Sequence, residues 1–296
     1  MRLDDYRESS NVEQDRGGGG GFGGGGGPLG LLFGLVGSRF GIGGIIVLAL
    51  GMMLFGMNPL SLIGGGAPTQ QSRTTGQSAA QVCGADPAHT FSCRVLASTE
   101  DTWGKIFQQA GSQYQPTVLH FFNGQGQSGC GVAQSAMGPF YCPTDKKVYL
   151  DTGFYDELAN RFGSAGDFAQ AYVVAHEVGH HVQDLLGTLG KVHDQQQSAS
   201  ESQANALQVR VELQADCYAG VWAANNRDRI EPGDVEEGLR AANAIGDDTL
   251  QKSAGRTPVP DSFTHGSSAE RVAWLKRGLE SGDPNQCDTF SGSIDR

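Results

Sequence analysis

Several features that would point to common protein classes are missing from this sequence. It has no excess of positive charge: 21 lysines and arginines face 32 aspartates and glutamates, a net charge of −11. That balance argues against a nucleic-acid partner, which is recognised through basic patches. Cysteine is absent before position 83, and none of the six cysteines shows the Cys-x-x-Cys spacing of a cysteine metal site. From Phe40 to Ser72 there is no charged side chain at all. Glycine is the opposite case. Its 45 residues are about twice the usual share, and the excess is concentrated before residue 67.

The uneven composition divides the chain. Residues 1–27 read as a polar tail followed by a tether, because Gly17 to Gly27 is glycine broken only by Phe22. Residues 28–66 are apolar, and the stretch from Ile42 to Ile63 is long enough to cross a bilayer, which takes about 20 apolar residues. A cleaved signal peptide is the competing reading. It fits less well, because the apolar core begins late and Gly64-Gly65-Gly66-Ala67-Pro68 is not a clear small-residue cleavage box. Arg2, Arg7, Arg16 and Arg39 precede the span and only Arg73 follows closely. By the positive-inside rule the amino terminus stays in the cytoplasm and the remainder lies outside the cell membrane.

Residues 67–81 form a Ser/Thr/Gln/Gly-rich linker, leaving 82–296 as the folded domain. An even number of cysteines in an extracytoplasmic domain predicts disulfides rather than reduced core thiols. Proximity pairs Cys83 with Cys93, Cys130 with Cys142, and Cys217 with Cys287, although six cysteines permit other connectivities.

Within the domain, Thr99 to Gly111 reads as a helix and Thr117 to Phe122 as a strand. Phe140–Pro143 and Lys147–Leu150 read as a hairpin, with Val148 to Leu150 as an edge strand open to an extended peptide. Phe154 to Arg161 reads as a short helix, and Asp167 as the cap of a central helix starting near Phe168. Thr188 to Ser202 reads as a polar surface excursion, and Glu201 to Asn225 as a second long helix. A third helix starts at Gly233-Asp234. Ser267 and Glu270 form a capping box for the last, which runs through Leu279.

The chemistry centres on His176-Glu177-Val178-Gly179-His180. Residues four apart share one helix face, so His176 and His180 can offer two imidazole nitrogens to one tetrahedral zinc ion. Glu177 points to the same side and can take a proton from water at the metal. Five residues alone match by chance often. Here, however, Phe168, Tyr172, Ala175, Gly179 and Val182 form the apolar seam of a core helix, and buried polar groups on such a helix need a partner.

A catalytic zinc site needs a third protein ligand, and Glu212 on the second long helix supplies it. The competing readings are Glu212 paired with Arg210 on a solvated face, or Glu201 as the ligand. Asp216, one turn on, can accept the free N–H of a ligand histidine. His265 and Arg271 are candidates for steadying an oxyanion. His181 reads as structural, and His89, His120 and His193 have no supporting pattern.

Three longer strings add a resemblance: Glu8-Ser9-Ser10-Asn11-Val12, the zinc motif extended to His181, and Gly138-Pro139-Phe140-Tyr141-Cys142-Pro143. Together with the glycine tether and single anchor, they resemble the bacterial neutral zinc metallopeptidases over nearly the whole chain. Glu212-x-x-x-Asp216 is similar to the glutamate-ligand helix of thermolysin-like enzymes. Thr264-His265 with Arg271 resembles the Thr-His-Pro…Arg element of membrane CAAX and heat-shock peptidases, with Gly266 in place of the proline.

The resemblance implies an α+β zincin-like domain, with the zinc-motif helix at its core and a small antiparallel sheet, preceded by one transmembrane helix. It also implies Zn(2+) as cofactor and peptide or protein substrates. The expected function is a membrane-anchored, extracytoplasmic endopeptidase. The rival is a non-enzymatic, disulfide-braced envelope module whose zinc is structural.

Overall fold

The computed structural model describes residues 1–15, 77–160, 163 and 166–292, an α+β arrangement. Strand β1 (Val12–Gln14) opens it, followed by helices α1 (Ala79–Cys83) and α2 (Pro87–Gln109). The α2 start is written in the sequence: Asp86 accepts the His89 N–H, and Pro87 occupies the first turn, where its missing N–H costs nothing. It starts well before the predicted Thr99.

Strands β2 (Val118–Phe121), β3 (Gln125–Ser128), β4 (Gly131–Gln134), β5 (Phe140–Cys142) and β6 (Lys147–Leu150) follow. They form a sheet ordered β1-β2-β6-β5 and a separate β3-β4 hairpin. The larger sheet is mixed rather than antiparallel as expected. β1, β2 and β6 run parallel, and only β5 is antiparallel, joined to β6 as the predicted hairpin. β6 therefore lies inside the sheet. The edge strand predicted at Val148 to Leu150 is instead β5, because β2 takes up the other side of β6.

Helices α3 (Gly153–Asn160), α4 (Asp167–Leu185), α5 (Thr188–Gln196), α6 (Glu201–Ala224), α7 (Asp234–Ala244), α8 (Asp247–Ser253) and α9 (Ser268–Ser281) complete the described residues. The capping box at Ser267/Glu270 is present, and a second one at Ser200/Gln203 starts α6. Asp167 is not a cap: Gly166 holds that position without a side-chain bond. The polar stretch after Thr188 is a helix, not an irregular excursion. Both predicted long helices lie in the core, where Trp103, Tyr172, Leu213 and Trp222 are almost completely buried.

Three disulfides join Cys83 to Cys93, Cys130 to Cys142 and Cys217 to Cys287, the pairs that proximity suggested. Among the described residues no helix is long and apolar enough to cross a membrane. The predicted span Ile42–Ile63, the glycine tether and the linker as far as Gly76 lie outside the described residues. Residues 1–15 differ most from expectation. They do not stand apart from the domain but pair with it, Val12 to Gln14 lying in register with Leu119 to Phe121. Leu3 of this segment is fully buried.

Glycines set how closely the helices approach. A Cβ on Gly278 of α9 would sit 1.9 Å from the Cys217 carbonyl oxygen, and one on Gly220 of α6 would sit 2.2 Å from that of Leu275. No rotamer relieves a clash with backbone, so these residues fix the α6–α9 contact. Gly278→Ala is expected to destabilise the fold by about 1–3 kcal/mol, the usual cost of overpacking. That corresponds to a fall of several degrees in thermal midpoint; an unchanged melting curve would contradict the close approach.

Candidate metal centre

α4 presents His176 and His180 one turn apart, their rings nearly perpendicular with centroids 4.8 Å apart. α6 brings Glu212 against them. Its Oε2 lies 3.3 Å from His176 Nε2 and 3.7 Å from His180 Nε2. Bonds of about 2.0–2.1 Å at tetrahedral angles place ligand atoms roughly 3.3 Å apart, so this triangle fits a zinc ion. The donor set fits too: two imidazoles and one carboxylate are hydrolytic-zinc ligands, and among the described residues this cluster holds no fourth protein ligand. Gly179 contributes to the triangle, since a Cβ there would press on Ala215 at 3.0 Å and push α6 away.

The outward-facing nitrogens of both histidines are occupied. His176 Nδ1 lies 2.8 Å from Asp216 Oδ1, and His180 Nδ1 lies 2.9 Å from Gln183 Oε1. Gln183 donates its own N–H groups to the Val211 carbonyl and to Gln214 Oε1, which leaves its oxygen to accept from His180. Each Nδ1 therefore donates outward, which leaves each Nε2 as the nitrogen turned to the centre and available to a metal ion. Gln208 Nε2 donates to Glu212 Oε1 at 3.1 Å, leaving Oε2 turned inward.

Asp216 is the most heavily engaged of these groups. Arg271 donates to it through Nε at 2.8 Å and Nη2 at 2.9 Å, and the Tyr172 hydroxyl donates at 2.6 Å. Burial would raise the Asp216 carboxyl, but the Arg271 charge and the His176 contact overcome this and hold it at about 2. Arg271 lines the cleft, and its guanidinium is engaged by Asp216, Tyr172 and the Ile245 carbonyl, which makes it a residue that positions the His176 side of the cluster through Asp216.

A cleft of about 460 Å³ opens over the cluster. Phe140, Phe154, Val173, Leu189 and Val192 make it largely apolar, and Glu177 and His265 are polar groups reaching into it. His265 is held by a residue that sequence reasoning missed. Asp247 Oδ2 accepts three successive backbone N–H groups, from Thr264, His265 and Gly266, at 2.7, 2.6 and 3.1 Å. His265 Nδ1 is 3.1 Å from Thr264 Oγ1 and 3.4 Å from Asp247 Oδ1, so Nε2 is the nitrogen left for the cleft. Burial lowers the His265 pKa, but the Asp247 contact and the Glu212 charge more than compensate, and it stands raised.

The other candidates resolve clearly. Arg210 bonds the Thr289 and Gly292 carbonyls rather than Glu212, and Glu201 is exposed at the start of α6. His181 is structural, within hydrogen-bond distance of the Tyr141 hydroxyl and the Gln115 carbonyl. His193 lines the cleft, whereas His120 binds Glu13 far along the sheet. A second acidic group, Asp167, Asp234 and Glu237, has metal-like spacing, but the Met1 amine already bonds two of its members. Gln183 had a readable signal, since it stands three residues after His180 on one helix. Asp247 had none, because its partners come from a distant loop.

Asp216→Asn leaves the buried Arg271 without a counter-charge and weakens the hold on His176. Zinc affinity is expected to fall about 10- to 100-fold, measured by chelator competition. The wild-type carboxylate stabilises the fold above its ordinary pKa near 3.8, and this contribution is lost as pH falls toward about 2. In Asp216→Asn that acid limb should flatten, and an unaltered limb would contradict the assignment.

The family described as "Putative neutral zinc metallopeptidase" matches residues 1–290. The chain is 47% identical over 300 residues to the uncharacterized protein YpfJ of Escherichia coli (strain K12), covering 99% of this chain and all of that one. It is 42% identical over 261 residues to the uncharacterized protein Rv2575 of Mycobacterium tuberculosis (strain H37Rv), covering 81% of this chain and 85% of the relative. No solved structure matches it. The chain belongs to the neutral zinc metallopeptidase family, whose cofactor is Zn(2+).

Proposed function

We propose that this chain is a zinc-dependent endopeptidase working outside the cytoplasm. One observation carries the reading: a two-histidine, one-glutamate cluster with no fourth protein ligand among the described residues, at the base of a cleft into which Glu177 also projects. A structural zinc site is closed by four protein ligands, so the rival envelope module with structural zinc is the weaker fit. Zinc, when held by His176, His180 and Glu212, supplies Lewis acidity that makes water nucleophilic near neutral pH. Glu177 accepts the proton of the attacking water and returns it to the departing amine. His265, with Nδ1 turned to Asp247 and Thr264, donates from Nε2 to the oxygen of the attacked carbonyl.

The substrate strand is read by β5. Among the described residues β5 pairs only with β6, so its outer edge offers backbone groups to an extended peptide, and Phe140 and Tyr141 line the adjoining cleft. The apolar cleft walls suit a large hydrophobic side chain beside the scissile bond. Disulfides persist in oxidising compartments, which supports an extracytoplasmic domain. The uncharged stretch Ile42–Ile63 is the proposed membrane attachment.

Zinc-loaded full-length protein is expected to cleave an unbiased peptide library. Glu177→Gln should bind zinc equally and lose activity by about 10²- to 10⁴-fold, the range for removing a general base. Activity surviving that substitution would sink the mechanism, and full zinc loading with no cleavage by wild type would favour the structural reading. Asp247→Ala should lower kcat about tenfold or more with little change in KM, because His265 loses its support for the transition state. An equal rise in KM with kcat intact would instead assign the loop to substrate binding.

A further inference from the structure

We propose that residues 1–15 are an intramolecular ligand of the catalytic domain, and that both ends of segment 16–76 therefore lie on the same face of any membrane the segment enters. The inference does not depend on the peptidase reading.

Three separate elements of the domain receive the segment. On α2, Glu100 accepts Arg7 at 3.0 Å, Ser9 Oγ at 2.5 Å and Asn11 Nδ2 at 2.8 Å, and Asp101 accepts Arg7 and the Tyr6 hydroxyl. On β2, the buried His120 lies between Glu13 at 2.8 Å and Asp15 at 3.1 Å. On β6, Lys147 binds the same Glu13. Among the described residues the side-chain bonds to the Glu100 carboxylate come from the segment, an oxygen-by-oxygen match that a loosely tethered tail would not need.

The backbone joins in. The Leu119 N–H donates to the Asn11 carbonyl, and the Asp15 N–H donates to the Phe121 carbonyl, both at 2.9 Å. Without β1, β2 would be an open sheet edge next to apolar side chains. The Ser9 N–H donates to the Cys93 carbonyl at 3.1 Å. The segment thus lies across the Cys83–Cys93 disulfide, and the compartment that oxidises this pair is the one in which the segment docks.

This has a consequence for topology. A single crossing by Ile42–Ile63 would leave β1 and β2 on opposite faces of the bilayer, where one chain cannot pair them. The arginine count ahead of the span favours an amino terminus inside, whereas the ladder, the Glu100 cluster and the Glu13–His120–Lys147 cluster require it beside the domain. The charge rule is a bias in insertion, and strand pairing is a geometric necessity.

Two measurements on the full-length chain test the proposal. The first puts one cysteine at a time at Asp4 or Lys252, both with exposed side chains, and labels intact spheroplasts with a membrane-impermeant maleimide before and after permeabilisation. Labelling of both positions from one side supports the proposal, and labelling from opposite sides overturns it. The second is a double-mutant cycle on the purified chain. Asn11→Ala should lower the thermal midpoint by about 2–4 °C, and this loss should vanish in Glu100→Ala, which removes the oxygen that Asn11 donates to. Equal losses in both backgrounds would overturn the docking.

Discussion

The buried ion pair between Asp216 and Arg271 is the interaction on which the rest of the site depends. It joins three helices, because Asp216 stands on α6, Arg271 on α9, and the Tyr172 and His176 groups that share the carboxylate stand on α4. Arg271 is only 2% exposed and Asp216 is fully buried, so neither charge has water to fall back on. Such a pair is worth little as net stability but is costly to break on one side. Its value here is geometric. It fixes the His176 ring and, through it, one corner of the metal triangle.

The other corners depend on spacing. Small residues let α6 approach α4 at Gly179–Ala215 and α9 at Gly220–Gly278, so Glu212 arrives close enough to both histidines for all three to share one ion. The site is thus a property of helix packing more than of any loop. The exception is His265, on a loop whose backbone is gathered onto the single Asp247 carboxylate. Three converging N–H bonds hold that loop, and with it His265, in place beside the cleft.

Much of this was legible in the sequence, for identifiable reasons. His176, Glu177, His180, Glu212 and Asp216 follow helical periodicity, which survives into the fold, and proximity suggested the disulfide pairs. What was not legible depends on contacts between distant segments. Sequence gives Val148-Tyr149-Leu150 no neighbour, so its burial between β2 and β5 could not be read. Arg271 does lie beside the His176–His180–Glu212 cleft, but its commitment to Asp216 depends on the crossing of α6 and α9. The amino-terminal residues were misread because their composition is that of a tail: only Met1, Leu3, Tyr6 and Val12 are apolar or aromatic signals, and most of the other contacts are polar ones matched to Glu100, His120 and Lys147.

The most direct test of the central claim is X-ray absorption at the zinc edge of the purified full-length protein. The account predicts two imidazole scatterers at about 2.0–2.1 Å, oxygen from Glu212 and one further non-protein oxygen. It also predicts that Glu212→Ala loses the carboxylate contribution while both imidazoles remain. A sulfur scatterer, a third imidazole, or a spectrum unaffected by Glu212→Ala would contradict it.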